Sequence, residues 1–88
     1  MLGFQELTDL MDQMVENLAY DENPKITHDV IEKKVYSFWN KLNTDNKHDL
    51  QFILGLKKLE STPKSLINRI KRERSAWLKK VRTLLSKT

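Results

Sequence analysis

Apolar residues recur every three or four positions along most of this 88-residue chain, and that spacing is the period of an amphipathic helix. In the first segment Phe4, Leu7, Met11, Met14 and Leu18 follow it. Only two glycines and two prolines interrupt the chain, and it has no cysteine. The pattern therefore predicts an all-α fold, a compact bundle of about four helices forming a single helical domain over residues 1–88.

The ends of the first two helices follow from a proline and a capping hydroxyl. The first helix is predicted over about residues 4–20, because Pro24 cannot continue a helix and Asn23 before it is biased away from helical angles. The second is predicted over about residues 28–42, because the Thr27 hydroxyl can accept a hydrogen bond from the first turn.

The third helix is predicted over about residues 47–59, after a polar turn at 43–46. It is apolar on nearly every side, so we expect it to be the central and most buried helix, with Gly55 marking a close contact or a bend. The aromatic side chains are also expected in the core: Phe4, Phe38, Trp39, Phe52 and Trp77.

The fourth helix is predicted over about residues 63–85, as a long, basic, amphipathic C-terminal helix. A hydroxyl cap at Ser61 or Thr62 followed by Pro63 marks its start, because proline suits the first helical position. At about 1.5 Å per residue, the helix spans roughly 35 Å.

Charge is sorted along the chain. Residues 1–24 contain six acids and no Lys or Arg, whereas residues 63–88 contain nine bases and one acid. The net charge is +4. One end of the sequence therefore attracts polyanions and the other repels them.

Little in the sequence supports catalysis. The two histidines, His28 and His48, are each followed by an Asp, but the chain is too short to supply the further ligands of a metal-dependent hydrolase. Those Asp residues are better explained as first-turn carboxylates that complement the helix dipole. We expect no enzyme activity, no metal and no cofactor.

The longest apolar run, residues 52–56, is far shorter than the roughly 18 residues of a membrane span. There is also no basic, apolar leader at the start of the sequence. We therefore expect a cytoplasmic protein without a membrane span.

The face of the fourth helix that points away from its apolar arc is the strongest binding candidate. Arg and Asn can read base edges, while Lys and Ser suit phosphates. The predicted nucleic-acid-binding residues are Lys64, Ser65, Asn68, Arg69 and Arg72, continued along the helix by Lys79, Lys80 and Arg82.

The run from Ser61 to Arg74 resembles the turn and recognition helix of helix-turn-helix proteins. The nearest likeness is to the fourth region of bacterial sigma factors and to small phage regulators related to it. In that family a Ser or Thr cap opens the recognition helix, an aliphatic residue (here Leu66) packs into the core, and Arg residues follow. The resemblance covers about residues 56–77 and implies that the residues from Lys64 to Arg72 named above contact duplex DNA in transcription regulation.

A protein-binding function is the alternative. The acids of the first helix could form a partner-binding face, consisting of Glu6, Asp9, Asp12 and Glu16. The size, the missing cysteine and the run Leu66-Ile67-Asn68-Arg69 are similar to those of some immunity proteins against class II bacteriocins. A helical adaptor or a phage-encoded inhibitor is equally compatible with the size, and the basic helix could then bind an acidic protein surface.

Three simpler interpretations of the charge stay open. The basic helix could be an ordinary solvated face. The acidic and basic helices could instead lie against each other and mask both charges, although surface ion pairs contribute only about 0–1 kcal/mol each. Finally, the two faces could serve different partners or a homodimer of this chain.

Overall fold

The computed structural model describes residues 2–86 and confirms the predicted all-α bundle of four helices. The helices are α1 (Phe4–Ala19), α2 (His28–Lys41), α3 (Thr44–Ile53) and α4 (Thr62–Ser86), and a single 3-10 turn (Leu59–Ser61) leads directly into α4.

The long basic helix α4, and not α3, is the scaffold of the bundle. Both α1 and α2 pack along α4, whereas α3 packs chiefly on α1. Eight of the twelve buried apolar side chains that form the core belong to α1, α2 or α2's C-cap, three belong to α4, and only one belongs to α3. The twelve are Leu7, Met11, Val15, Leu18, Ala19, Ile31, Val35, Leu42, Leu50, Leu66, Ile67 and Ile70. The expectation that the third helix is central and most buried is therefore wrong.

The third helix also begins and ends earlier than predicted. The Asn43 side chain caps it by accepting a hydrogen bond from the Asn46 amide at 2.8 Å, so the helix starts at Thr44 and not near residue 47. It ends because Gly55 adopts a left-handed conformation with φ of 67°. The amides of Gly55 and Leu56 donate back to the carbonyls of Phe52 and Gln51, which is a Schellman motif. Gly55 thus stops the helix that the sequence pattern extended to residue 59.

Two aromatic residues that were predicted to be core are exposed instead. Phe52 is 76% exposed and Phe4 is 50% exposed, and their rings meet edge to face with centroids 6.3 Å apart. The core prediction is wrong for these two aromatics. It is confirmed in part for Phe38 and Trp39, which are half-buried against the core. Trp77 is half-buried with its ring edge to face with Tyr20.

A buried amide fastens the start of the described chain to α3. The Asn46 side chain donates to the Leu2 carbonyl at 2.9 Å, and its oxygen accepts from the Leu2 amide at 3.1 Å. Asn46 is only 2% exposed, so these two bonds satisfy a polar group that would otherwise be costly to bury.

Two predicted helix caps have different outcomes. The Thr27 hydroxyl accepts from the Val30 amide at 3.3 Å, which confirms the cap of α2. At α4, however, the Thr62 hydroxyl is buried and has no hydrogen-bond partner among residues 2–86. The 3-10 turn, and not a cap from Thr62, leads the chain into this helix.

Arg74 is a buried cation that joins α4 to the segment between α1 and α2. It is 7% exposed. Its guanidinium donates to the carbonyls of Leu18 and Asn23, each at 3.0 Å, and also to the carbonyl of Asp21. The Leu18 carbonyl belongs to the last turn of α1, where the helix dipole favours positive charge. Arg74, one of the nine bases in residues 63–88, therefore stabilises the fold and is not available to a ligand.

After Arg74, α4 extends past the other helices of the bundle. None of its described residues after Arg74 is fully buried, and residues 82–86 are exposed. This overhang explains the elongated outline of 49 × 23 × 22 Å.

We predict that Arg74→Met lowers the free energy of unfolding by about 2–4 kcal/mol, because it leaves buried carbonyls without a donor. The free energy of unfolding of Arg74→Lys should lie between those of Arg74→Met and the wild type, since one ammonium cannot replace a planar guanidinium with its several N–H groups. The measurement is equilibrium urea unfolding followed by circular dichroism. The matched control is the exposed Arg72→Met, which should change stability by no more than about 0.5 kcal/mol. Equal losses in the two Met variants would contradict the structural role of Arg74.

Candidate nucleic-acid interface

One open groove of about 720 Å³ crosses the outer side of α4 in its first half. Five of the eight predicted nucleic-acid-binding residues line it together: Lys64, Ser65, Asn68, Arg69 and Arg72. They share the groove because residues three, four and seven apart lie on one side of a helix, and the opposite side carries the buried residues Leu66, Ile67 and Ile70.

Three other elements complete the groove. Tyr36 comes from α2, Ile53 and Leu54 from the end of α3, and Glu60 and Ser61 from the 3-10 turn. Tyr36 is 45% exposed and lines the groove beside the cations of α4. Sequence analysis missed these five residues, because only the packing of α2 and α3 brings them to α4. Glu60 is the one carboxylate in the lining and opposes the binding of an anion.

The other three predicted residues lie apart from the groove. Lys79, Lys80 and Arg82 are exposed on the overhang of α4, roughly 10–15 Å further along the helix than Arg72. They extend the positive charge of the same helix but share no groove lining with the first five.

The bases of α4 differ in how far their charge is already neutralised. Arg69 lies 3.5 Å from Glu73 one turn later, Lys71 lies 2.8 Å from Glu32 of α2, and Arg74 is held by carbonyls. Within residues 2–86 the remaining bases of α4 have no ion-pair partner: Lys64, Arg72, Lys79, Lys80 and Arg82. Every one of these five was a predicted contact residue, whereas Lys71 and Arg74 were not.

The pair formed by Lys71 and Glu32 links α4 to α2. The hydrogen bond and positive charge of Lys71 lower the pKa of Glu32 below its ordinary value of 4.5, with a smaller contribution from the charge of His28. Because the folded pKa is the lower one, the pair stabilises the fold above the ordinary pKa. That contribution is lost as the pH falls through the folded value.

The predicted partner-binding face on α1 is exposed along its length. Glu6, Asp9, Asp12 and Glu16 are all exposed, and Asp9 accepts a hydrogen bond from Gln5 at 2.9 Å. Although α1 packs on α4, no described ion pair joins the two helices, and their contact is made by core residues. Asp12 and Glu16 of α1 and Arg69 of α4 together line a small depression of about 220 Å³.

The connection from α3 to α4 has its own geometry. It spans residues 54–61 and includes the Schellman motif and the 3-10 turn. A helix-turn-helix motif joins its helices by three or four residues. The groove is therefore the feature that brings the candidate residues together, independently of that motif.

Neither a metal-binding cluster nor a membrane-spanning helix is found in residues 2–86. Within residues 2–86, no three His, Cys, Asp or Glu side chains lie close enough to hold a metal ion. In the same part of the chain, none of the helices combines the length and apolar character needed to cross a membrane.

Comparison of the chain with protein-family models, with curated proteins and with solved structures finds no match.

We predict that Glu32→Gln flattens the pH dependence of stability on the acid side. Between about pH 6 and pH 3 the wild type should lose more of its unfolding free energy than the variant, because only the wild type has a carboxylate to protonate at this pair. Thermal unfolding at low salt measures the effect. Lys71→Met should flatten the pH profile of stability similarly. The double variant that carries Glu32→Gln and Lys71→Met should have a profile no flatter than either single variant. A profile unchanged in both variants would show that the pair is not formed in solution.

Proposed function

We propose that this protein binds nucleic acid, with duplex DNA as the principal ligand, through the groove on α4, and that it acts as a small non-catalytic regulator. The observation that carries the proposal is that Lys64, Ser65, Asn68, Arg69 and Arg72 line one open groove. Of its three cations, Lys64 and Arg72 have no ion-pair partner within residues 2–86.

The shape and lining of the groove suit a sugar–phosphate strand. Lys64 and Arg72 supply positive charge, while the hydroxyls of Ser65 and Tyr36 can donate to phosphate oxygens. Asn68 and Arg72 carry side chains that can also bond base edges, which would add sequence preference to a largely electrostatic contact.

The overhang of α4 would extend this contact. Lys79, Lys80 and Arg82 are exposed and unpaired within the described residues, so each can replace a counterion on a neighbouring phosphate. Together with the groove cations they make about six phosphate contacts, and such a number implies a steep salt dependence.

The test is fluorescence anisotropy of a labelled mixed-sequence duplex at about 50 and 200 mM salt. Affinity should fall about 10³-fold between them if six or so phosphates are contacted. Arg72→Ala should weaken binding several-fold and reduce the salt slope by about one, without lowering thermal stability. Arg69→Ala should do less, because Glu73 already offsets its charge.

Two variants make this test specific to the groove. Glu60→Gln should tighten binding, because it removes the only carboxylate of the lining. Lys33→Ala is the matched control, since it removes an equal charge from an exposed residue of α2 outside the groove. No binding at low salt, or equal losses in Arg72→Ala and Lys33→Ala, would overturn the proposal for this groove.

The acidic face of α1 supports a second candidate, binding of a protein partner as an adaptor, inhibitor or immunity-type protein. The supporting observation is that the four acids of this face are exposed and form no ion pair within residues 2–86. Unpaired charge of one sign on a single helix face can steer a basic partner.

If a protein partner co-purifies at moderate salt, replacing both Asp9 and Asp12 by Lys should abolish its capture. Isothermal titration with the recovered partner would measure the loss. Replacing Asp45 and Asp49 of α3 by Lys changes the net charge equally and should leave capture intact. Capture that survives the α1 changes would exclude this face.

A further inference from the structure

The groove on α4 combines two kinds of surface. Its α4 side carries cations, among them Lys64 and Arg72. The neighbouring helices contribute apolar and aromatic side chains instead, with Tyr36 from α2 and Ile53 and Leu54 from the end of α3. A ligand that matches the whole groove must therefore offer negative charge and an apolar surface together.

Tyr36 differs from the other exposed aromatic side chains. Within residues 2–86, four aromatic residues are at least 45% exposed, namely Phe4, Tyr20, Tyr36 and Phe52. Three of them meet another ring edge to face, because Phe4 pairs with Phe52 and Tyr20 pairs with Trp77. In the same part of the chain Tyr36 has neither a ring partner nor a side-chain hydrogen bond. Its ring is thus an unpartnered aromatic surface in the groove.

The position of Tyr36 follows from the packing of α2. Ile31 and Val35 are fully buried, and α2 packs along α4. The residue after Val35 is turned by about 100° round the helix axis, so Tyr36 lies at the margin of this contact and not inside it. The helix contact that builds the core therefore also brings an aromatic ring to the cations of α4.

An unpaired nucleotide offers both surfaces that the groove requires. In a base-paired duplex each base is stacked on its neighbours, so a protein meets phosphates and base edges. In a single strand the faces of the bases are accessible. Proteins that bind single strands combine a positively charged groove with aromatic side chains on which the bases stack.

We infer that the groove takes an unpaired nucleotide at the end of a DNA duplex, an inference that rests on the nucleic-acid binding proposed above. The base stacks on Tyr36, while Lys64 and Arg72 bind the flanking phosphates. The three exposed cations of the overhang lie roughly 10–15 Å further along α4 than Arg72, where they bind phosphates of the paired region. The preferred ligand is then a duplex with a single-stranded end and not a blunt duplex.

The test compares two forked duplexes by fluorescence anisotropy at about 50 mM salt. The unpaired strands of one fork are thymidines, and those of the other are abasic spacers with the same number of phosphates. Because the charge is equal, a difference in affinity measures contacts with the bases. The wild type should bind the thymidine fork about fivefold or more tightly than the abasic fork, which is the least that stacking of one base contributes.

Three variants assign this preference to the ring of Tyr36. Tyr36→Ala should abolish the preference for the thymidine fork, whereas Tyr36→Phe should retain it, because the ring and not the hydroxyl makes the contact. Phe52→Ala is the matched control, since it removes an exposed ring that does not line the groove, and it should retain the preference. Thermal unfolding of the three variants checks that the bundle is intact.

The possible failures are distinguishable. Equal affinities of the wild type for the two forks, with binding of a blunt duplex retained, would overturn this inference and leave the proposed binding of duplex DNA standing. A preference that survives in Tyr36→Ala, or one that is lost in Tyr36→Phe, would also overturn it. No binding of any of these duplexes at low salt would contradict the proposed function itself, and this inference with it.

Discussion

A guanidinium enclosed by three backbone carbonyls ties the end of α1 to the middle of α4, and the placement of both charged faces follows from it. The guanidinium of Arg74 can be buried only because it donates hydrogen bonds to the carbonyls of Leu18, Asp21 and Asn23. This contact fixes where the chain leaves α1 and where the core stops along α4. The groove lies on one side of this point and the overhang on the other.

The bundle keeps its opposite charges apart although they lie on adjacent helices. Apolar side chains make the contact between α1 and α4, so the acids of α1 and most bases of α4 face solvent, with Arg74 the buried exception. Two of the three bases of α4 that have partners, Lys71 and Arg74, connect this helix to other parts of the bundle. Those lining the groove or lying on the overhang are, except for Arg69, unpaired within residues 2–86. Position on the helix thus separates structural cations from cations available to a ligand.

The sequence was a good guide wherever the determining contacts are local. The apolar period predicted four helices, Thr27 predicted a cap, and one face of α4 predicted five groove residues. It failed where tertiary packing decides. Phe52 looked like core because apolar residues crowd its neighbourhood, yet α3 buries Leu50 against the bundle, and Phe52, two residues further on, is exposed. Arg74 looked like one base among many, because nothing in its neighbours reveals that distant carbonyls surround it.

The separation of charge between α1 and α4 makes the molecule an electric dipole as well as a weak cation. In the field of a polyanion such a molecule experiences a torque, which turns α4 toward the ligand and α1 away from it before contact. The acidic helix would thereby raise the fraction of encounters that lead to binding, although it makes no contact with the polyanion. At physiological ionic strength the Debye length is about 8–10 Å, so dissolved salt screens both the torque and the attraction beyond that distance. Both effects therefore weaken together as salt is raised.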